Sequence, residues 1–337
     1  MEESKILNII PTLNGNCDVD IKDHFRIWFS NHPDVFLPPF EKVIIEESIK
    51  SNPSCITTLI VDKNSLSIKT CEQLVEWGKN ASCTILDIND IPQKNDHDLI
   101  ILAVVKKEIE KWRTPPYSGN PGIASDLARL LISNKGIYFD CDIYTCKELP
   151  VKLNTPQGFF VDVVKLKPEV VFNNDIMTFS SPTGREFLEK YKLDVLNKYF
   201  NNCIPSKNLS DRIDDILKER AEALQDLKIE EKNDFIFQLV AELTGINSLN
   251  DFINSLDRKF KVLNHEIINY MEWLQINAKA QFFDSIEIET NAQLAWLPCN
   301  NINTQSDIAY RYLDLFRQKL IEMNIGTNRI LMEWYID

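Results

Sequence analysis

Hydrophobic positions in the first half of the chain come in short runs separated by amphipathic stretches. Residues 6–10, 56–61 and 84–86 are short and rich in β-branched side chains, as buried strands are, whereas 68–77 and 99–112 repeat their apolar residues at helical spacing. That alternation predicts an α/β fold, a sheet flanked by helices. Residues 115–122, Pro-Pro-Tyr-Ser-Gly-Asn-Pro-Gly, read as a loop. The loop leads into a predicted helix over 124–132, with Leu127, Leu130 and Leu131 on its apolar side, and then into a predicted strand over 136–143. Further strands are expected at 159–164 and 170–172. Phe25, Trp28 and Phe29 share helical spacing and read as core.

From about residue 184 to residue 280 the period becomes helical throughout. Leu209-Ser210-Asp211 offers an N-cap, and Ile213, Ile216, Leu217 and Ala221 fall on one helical face. Another helix is expected over 308–323, and no internal repeat or low-complexity segment interrupts the chain. The pattern divides the protein into an α/β core over 1–183, a helical subdomain over 184–280 inserted into or packed on it, and a C-terminal segment over 281–337 returning to the core.

Composition narrows the class. The 337 residues carry a formal net charge of -13, which argues against nucleic acid as a partner, because phosphate binding needs clustered Lys and Arg. The opening Met-Glu-Glu-Ser-Lys is acidic where a secretory signal is basic, and no apolar run approaches the roughly 18 residues of a membrane helix. The eight cysteines lack zinc-site spacing and disulfide-scaffold density, and read as reduced thiols in a cytosol-like compartment. The four histidines, 24, 32, 97 and 265, are scattered. No hydrolytic triad can be read from them.

The candidate chemistry lies in 136–143, Gly-Ile-Tyr-Phe-Asp-Cys-Asp-Ile. Strand alternation would put Tyr138, Asp140 and Asp142 on one face, with Cys141 turned towards the core as a small hydrophobe. Two carboxylates pointing the same way repel each other, unless a divalent cation with a preference for oxygen sits beside them. Mg²⁺ or Mn²⁺ suits such a site and leaves coordination positions for a diphosphate. The alternative is a polar strand end that caps the next helix. Asp-x-Asp is weak evidence alone, since Asp18-Val-Asp20 and Asp96-His-Asp98 repeat it; those two read as solvated turns or helix ends. The third copy differs in the helix before it, where Asp126 and Arg129 stand three apart. They form either an ordinary surface pair worth a few tenths of a kcal/mol, about 0.3, or a pair lying over the carboxylates. In the second case Asp126 accepts sugar hydroxyl protons and Arg129 meets sugar or diphosphate oxygens.

The ordered set Ala-Ser-Asp-x-x-Arg, helix, Gly, aromatic strand, Asp-x-Asp over 124–142 resembles the sugar-binding region of the family that includes the large clostridial glucosylating toxins and Legionella effector glucosyltransferases, with related polysaccharide transferases. The resemblance implies a GT-A, Rossmann-like fold, a UDP-sugar donor (glucose or N-acetylglucosamine), Mn²⁺ or Mg²⁺, and retention at the anomeric carbon. It assigns Asp126 and Arg129 to the sugar, Tyr138 to the donor's side, Asp140 to ribose and metal, and Asp142 to the metal directly. A metal-ligating Asn is expected downstream, at Asn174 or Asn173, and a donor-closing Trp at Trp334. The family's first strand runs into a Trp-Gly segment near the base, and 9–15 lack that aromatic, which leaves base stacking unassigned with Trp28 as the substitute. Toxin-like members recognise host proteins through added helices, so the resemblance implies a secreted effector acting on a protein hydroxyl in host cytoplasm. Competing readings are a bacterial cytoplasmic polysaccharide transferase, a HAD-like phosphatase using Asp140 and Asp142, and a non-enzymatic protein keeping a decayed site.

Overall fold

The structure is a computed structural model that describes residues 17–255, apart from 31, 38, 144, 146–148, 150, 156–158, 167 and 168. The strand expected at 6–10, the helix at 308–323, the C-terminal segment from 281 and Trp334 lie outside the described residues. In chain order the elements are β1 (Cys17–Asp20), β2 (Asp23–Ile27), α1 (Pro39–Ser51), β3 (Ile56–Val61), α2 (Ile68–Ala81) and β4 (Cys83–Asp87). Then follow α3 (Asp96–Arg113), α4 (Pro121–Ile132), β5 (Ile137–Phe139), β6 (Lys152–Thr155), β7 (Phe160–Leu166) and β8 (Glu169–Thr178). Four helices complete the described chain: α5 (Pro182–Tyr199), α6 (Leu209–Gln225), α7 (Ile229–Leu243) and α8 (Ile246–Ser255).

Six strands form one mixed sheet in the order β4-β3-β2-β5-β8-β7, and β1 pairs with β6 separately. β4, β3, β2 and β5 are mutually parallel, while β8 runs antiparallel to both β5 and β7. β3, Ile-Thr-Thr-Leu-Ile-Val, shows why the parallel part forms: it is almost continuously buried, as strands covered on both faces must be. From β2 the chain winds outward through β3 to β4, then returns to place β5 on the other side of β2. This is the doubly wound, Rossmann-like pattern, and the reversal between β2 and β5 is its switch point, where α/β folds bind ligands beyond the carboxyl ends of the strands. The GT-A-type core expected from the sequence is the fold observed.

Three expectations are corrected here. Phe25 lies in β2 rather than a helix, and Trp28 extends the strand by donating its backbone N–H to Ile60 O at 2.9 Å; three aromatics in five residues satisfy either period when both faces are covered. Asp18 and Asp20 belong to β1, not a turn. The cap of α6 is Asn208, at φ 56°, one residue before the expected segment, and Ile213 and Leu217 are buried as the helical face predicts.

The helices after residue 182 share the core of the sheet. Phe187 of α5 stacks on Phe159 and Phe179, with ring centroids 4.5 and 5.4 Å apart, and meets Phe252 of α8 edge-on at 5.2 Å. A glycine is required at 136, between α4 and β5, because a Cβ there would stand 2.1 Å from Asp23 O. That close approach sets β5 against β2.

His24 on β2 gives a pH test of this core. Burial, with the charge of Arg26 adding to it, pushes the imidazole down to about 3 against 6.5 unperturbed, and its Nε2 has no hydrogen-bond partner among the described residues. A histidine with a depressed pKa stabilises the fold only while neutral. As pH falls below 6.5 the unfolded chain takes up a proton that the folded one refuses, which costs about 2 kcal/mol by pH 5. In urea titrations, wild-type stability is expected to drop by that order between pH 6.5 and 5, and His24→Leu to flatten this part of the pH dependence.

Candidate active site

Asn120 and Pro121 start α4: the Asn120 side chain accepts from the N–H groups of Gly122 and Ile123, and Pro121 occupies the first turn. Apart from the half-buried Ser125 the whole helix is buried, Asp126 and Arg129 included, at 7 % and 4 % exposure. An ordinary surface pair is thereby excluded. Arg129 Nη2 lies 2.8 Å from Asp126 Oδ1 and 3.2 Å from Asp140 Oδ1, while Nη1 donates to Asn174 O at 2.5 Å. The guanidinium also lies over the Tyr138 ring, 4.6 Å from its centroid, and the Tyr138 hydroxyl donates to Asp140 Oδ1 at 2.5 Å. Asp126, Arg129, Tyr138, Asp140 and Asn174 are thus one cluster.

Asp126 is held from three sides. Besides Arg129, its Oδ1 accepts from Asn174 Nδ2 at 3.0 Å, and its Oδ2 accepts from Thr244 Oγ1 at 2.9 Å. Thr244 caps the C-terminus of α7. An ionised carboxylate offers about four acceptor positions, so this one keeps room for a hydroxyl donor. Burial raises the Asp126 pKa, opposed by Arg129, Thr244 and Asn174.

The strand reading of 136–143 needs correction beyond Phe139. β5 ends there, and Asp140 to Ile143 form a turn closed by Ile143 N–H donating to Asp140 O at 3.1 Å. Asp142 is placed by this turn, not by strand alternation. Tyr138 and Asp140 do lie together, and Cys141 is buried with Sγ 3.2 Å from Ile27 O. Burial pushes its thiol upward, away from nucleophilic chemistry. Asn173 and Asn174 lie on β8, a strand downstream as expected. Asn174 directs Nδ2 to Asp126, so Oδ1 is the atom it would offer a cation.

Sequence reasoning missed three participants. Asp175 accepts from Asp140 N–H through its backbone oxygen, at 2.8 Å, and its charge acts on both Asp140 and Arg129. Thr244 had no signal in the sequence. Arg26, a charge inside the apolar run Phe25-Arg26-Ile27-Trp28, had one. Trp28, left open as a base platform, stands at the carboxyl end of β2, beside the switch point. It packs with Ser30, Phe36, Asp62 and Ser65 around a narrow cleft, and its buried indole nitrogen has no partner among the described residues.

The charge balance tests whether a divalent cation fits. Burial lifts Asp140 to about 7, and Asp142 and Asp175 push it further in that direction against the pull of Arg129. Arg129 is held charged by Asp140, Tyr138, Asp126 and Asp175 in spite of its burial. The surplus of carboxylates is what a cation relieves. Among the described residues no three His, Cys, Asp or Glu side chains could hold a metal between them. The excess negative charge around Asp140 would suit a cation held by one or two carboxylates and completed by substrate phosphates and water, the habit of Mg²⁺ and Mn²⁺.

A sequence model of glycosyltransferase family 88 matches residues 9–241, a span that contains α4, β5 and β8. The chain belongs to glycosyltransferase family 88. It is a glycosyltransferase, which removes the phosphatase alternative. No curated protein sequence matches it. Among solved structures, this family 88 chain is similar to the PaToxG glycosyltransferase, at 18% identity, covering 79% of this chain and 95% of that one with a TM-score of 0.46. It is also similar to the UDP-bound glycosyltransferase domain of the YGT toxin, at 11% identity, 88% and 94% coverage and a TM-score of 0.45. The catalytic domain of alpha-toxin from Clostridium novyi is a third, at 11% identity, 95% and 86% coverage and a TM-score of 0.40. Among the described residues no helix is long and apolar enough to cross a membrane.

Proposed function

We propose that this family 88 enzyme transfers a hexose, glucose or N-acetylglucosamine, from a UDP-sugar to a hydroxyl of a host protein, with retention at the anomeric carbon, as a secreted toxin-like effector acting in host cytoplasm. The observation that carries the donor part is the buried Arg129-centred cluster at the sheet's switch point. A surface pair would be spent on helix stability alone. This one brings a guanidinium, two carboxylates and a tyrosine to the place where an α/β sheet binds its ligand.

In this reading Asp126 accepts sugar hydroxyl protons and Arg129 meets sugar or diphosphate oxygens while fixing both Asp126 and Asp140. Trp28, at the carboxyl end of β2, is the candidate platform for the base. Tyr138 flanks the donor and orients Asp140. Asp140 and Asp142 hold Mn²⁺ or Mg²⁺, with Asn174 or Asn173 as a neutral ligand. A bound cation supplies Lewis-acid stabilisation of the departing diphosphate. No carboxylate nucleophile is required: the cluster's task is to position the donor and to meet charge that develops on the leaving group. The four helices from 182 onward, two of them tied to the site through Thr244 and the shared core, provide the surface for a protein acceptor.

The test is to incubate the purified chain with Mn²⁺ and a panel of UDP-sugars and to follow UDP release. Turnover of one hexose donor, dependent on the cation, is the expected outcome; no binding or turnover across the panel would end the UDP-sugar reading.

A further inference from the structure

Arg26 is among the largest fully buried side chains of the protein, at 1 % exposure, on a strand whose neighbouring positions are apolar. Its donors go to carbonyl oxygens and a hydroxyl rather than to a carboxylate. Nη1 donates to Asp140 O at 2.6 Å, and Nη2 donates to Ile143 O at 2.8 Å and to Ser48 Oγ at 3.1 Å. Nε is buried without a partner among the described residues, and the guanidinium lies 5.6 Å from the centroid of the Phe139 ring. Burial works against the charge of this guanidinium even with Asp142 acting on it, its hydrogen bonds go to neutral oxygens, and the parallel sheet would accept an aliphatic residue at this position without that cost. Stability does not account for this arginine.

Its two carbonyl partners do. Asp140 O and Ile143 O are the two ends of the turn that presents Asp142, and Asp140 O also accepts the hydrogen bond closing that turn. One planar fork therefore spans the turn from end to end, a geometry lysine cannot reproduce. The segment beyond the turn is tied to the same side. Ser48 Oγ accepts from Thr145 N–H at 3.1 Å, Asn52 Nδ2 donates to Thr145 Oγ1 at 2.9 Å, and Asn52 Oδ1 accepts from Leu149 N–H at 2.7 Å. The two arginines divide the work: Arg129 takes the side chain of Asp140, while Arg26 takes its carbonyl and the far end of the turn.

We propose that Arg26 is a positioning residue of the transferase, holding the Asp140–Ile143 turn by its terminal carbonyls so that Asp142 meets the cation and diphosphate without reorganisation. This rests on the reading of Asp142 as a metal carboxylate. Outer-sphere partners of metal ligands are worth about 10–100-fold in metal affinity, and a backbone-holding arginine belongs among them.

The experiment uses the full chain, Mn²⁺ and UDP as probes, and three variants: Arg26→Met, Arg26→Lys, and the remote pair Lys192→Met/Asp98→Asn. The last removes a fully buried ion pair between α3 and α5 and serves as the control for general loss of stability. Two quantities are read: amide hydrogen exchange at Ile143 and Thr145, and the Mn²⁺ concentration that half-saturates binding in the presence of UDP, followed by the manganese paramagnetic signal. Arg26→Met is expected to raise exchange at both amides at least tenfold with β3 unchanged, and to raise the half-saturating Mn²⁺ by about tenfold. Arg26→Lys is expected to fall between Arg26→Met and wild type, and it decides the matter if the methionine variant does not fold. Wild-type exchange or wild-type Mn²⁺ half-saturation in both Arg26 variants overturns the role, as does an equal manganese shift in the control pair. A wild-type chain without Mn²⁺-dependent UDP binding instead defeats the metal reading of Asp142, and exchange at Ile143 then still reports whether Arg26 holds the turn.

Discussion

Arg129→Met is expected to be the most damaging single substitution in the described chain, lowering stability by about 3–5 kcal/mol and abolishing sugar transfer together. The guanidinium reaches Asp126, Asp140 and the carbonyl of Asn174 and lies on Tyr138, so its removal strands one carboxylate that is buried and another that is 32% exposed. Uncompensated buried charge, not the lost pair itself, supplies most of that cost. Hence Arg129→Met/Asp126→Asn should recover part of the stability in urea titrations, a positive coupling expected for residues in one network. It should recover none of the turnover, since both groups proposed to meet the sugar are gone. Arg129→Lys keeps the charge but not the fork, and cannot serve Asp126, Asp140 and Asn174 O at once. A methionine variant as stable as wild type would show that Arg129 carries little of the cluster's electrostatics.

How far the sequence reveals this site depends on the distance over which each feature is determined. β3 is read with its observed bounds because burial on both faces leaves a continuous apolar run. The spacing of Asp126 and Arg129 is equally local. Their burial is not: it comes from β8 and from Thr244, which lies 118 residues beyond Asp126. Asp98 shows the same limit. Taken as a solvated helix end, it does start α3, but it is buried against Lys192 of α5 at 2.6 Å, a partner 94 residues away. The DXD segment fails differently. Tyr-Phe-Asp-Cys-Asp-Ile contains no Gly, Pro or Asn to announce a turn, and the strand expected over 136–143 runs four residues past the end of β5 at Phe139. What ends β5 is a side chain from the neighbouring strand, Arg26, whose oddity in an apolar run is the one visible trace of the turn. The Asn-Asn-Asp segment at 173–175 reads as readily as a turn; pairing with β7 and β5 makes it a strand.

Asp140→Asn should separate stability from function. In chelator-treated protein, burial and the charges of Asp142 and Asp175 lift the Asp140 carboxyl to about 7, against 3.8 unperturbed, although Arg129 opposes the shift. A carboxyl whose folded-state pKa lies above its unfolded value weakens the fold as pH rises between the two, because the unfolded chain releases its proton first. From about pH 4 to pH 7 the wild-type aspartate is therefore increasingly unfavourable, and above pH 7 the penalty is complete. Asparagine, which resembles the neutral form and can still accept from Tyr138 and Arg129, avoids that penalty. At pH 8 without metal, Asp140→Asn is expected to melt at or above the wild-type temperature, and the difference should close as pH approaches 4. With Mn²⁺ and the UDP-sugar the order reverses: removing one preorganised charge at the leaving group is expected to lower turnover by about 10²–10³-fold. Asp142→Asn, in the turn that Arg26 holds, should lose turnover to a similar extent. A site kept for folding would lose stability with its carboxylate. One kept for catalysis gains stability when the carboxylate is neutralised, and that sign, read from two melting curves and one rate, decides what Asp140 is for.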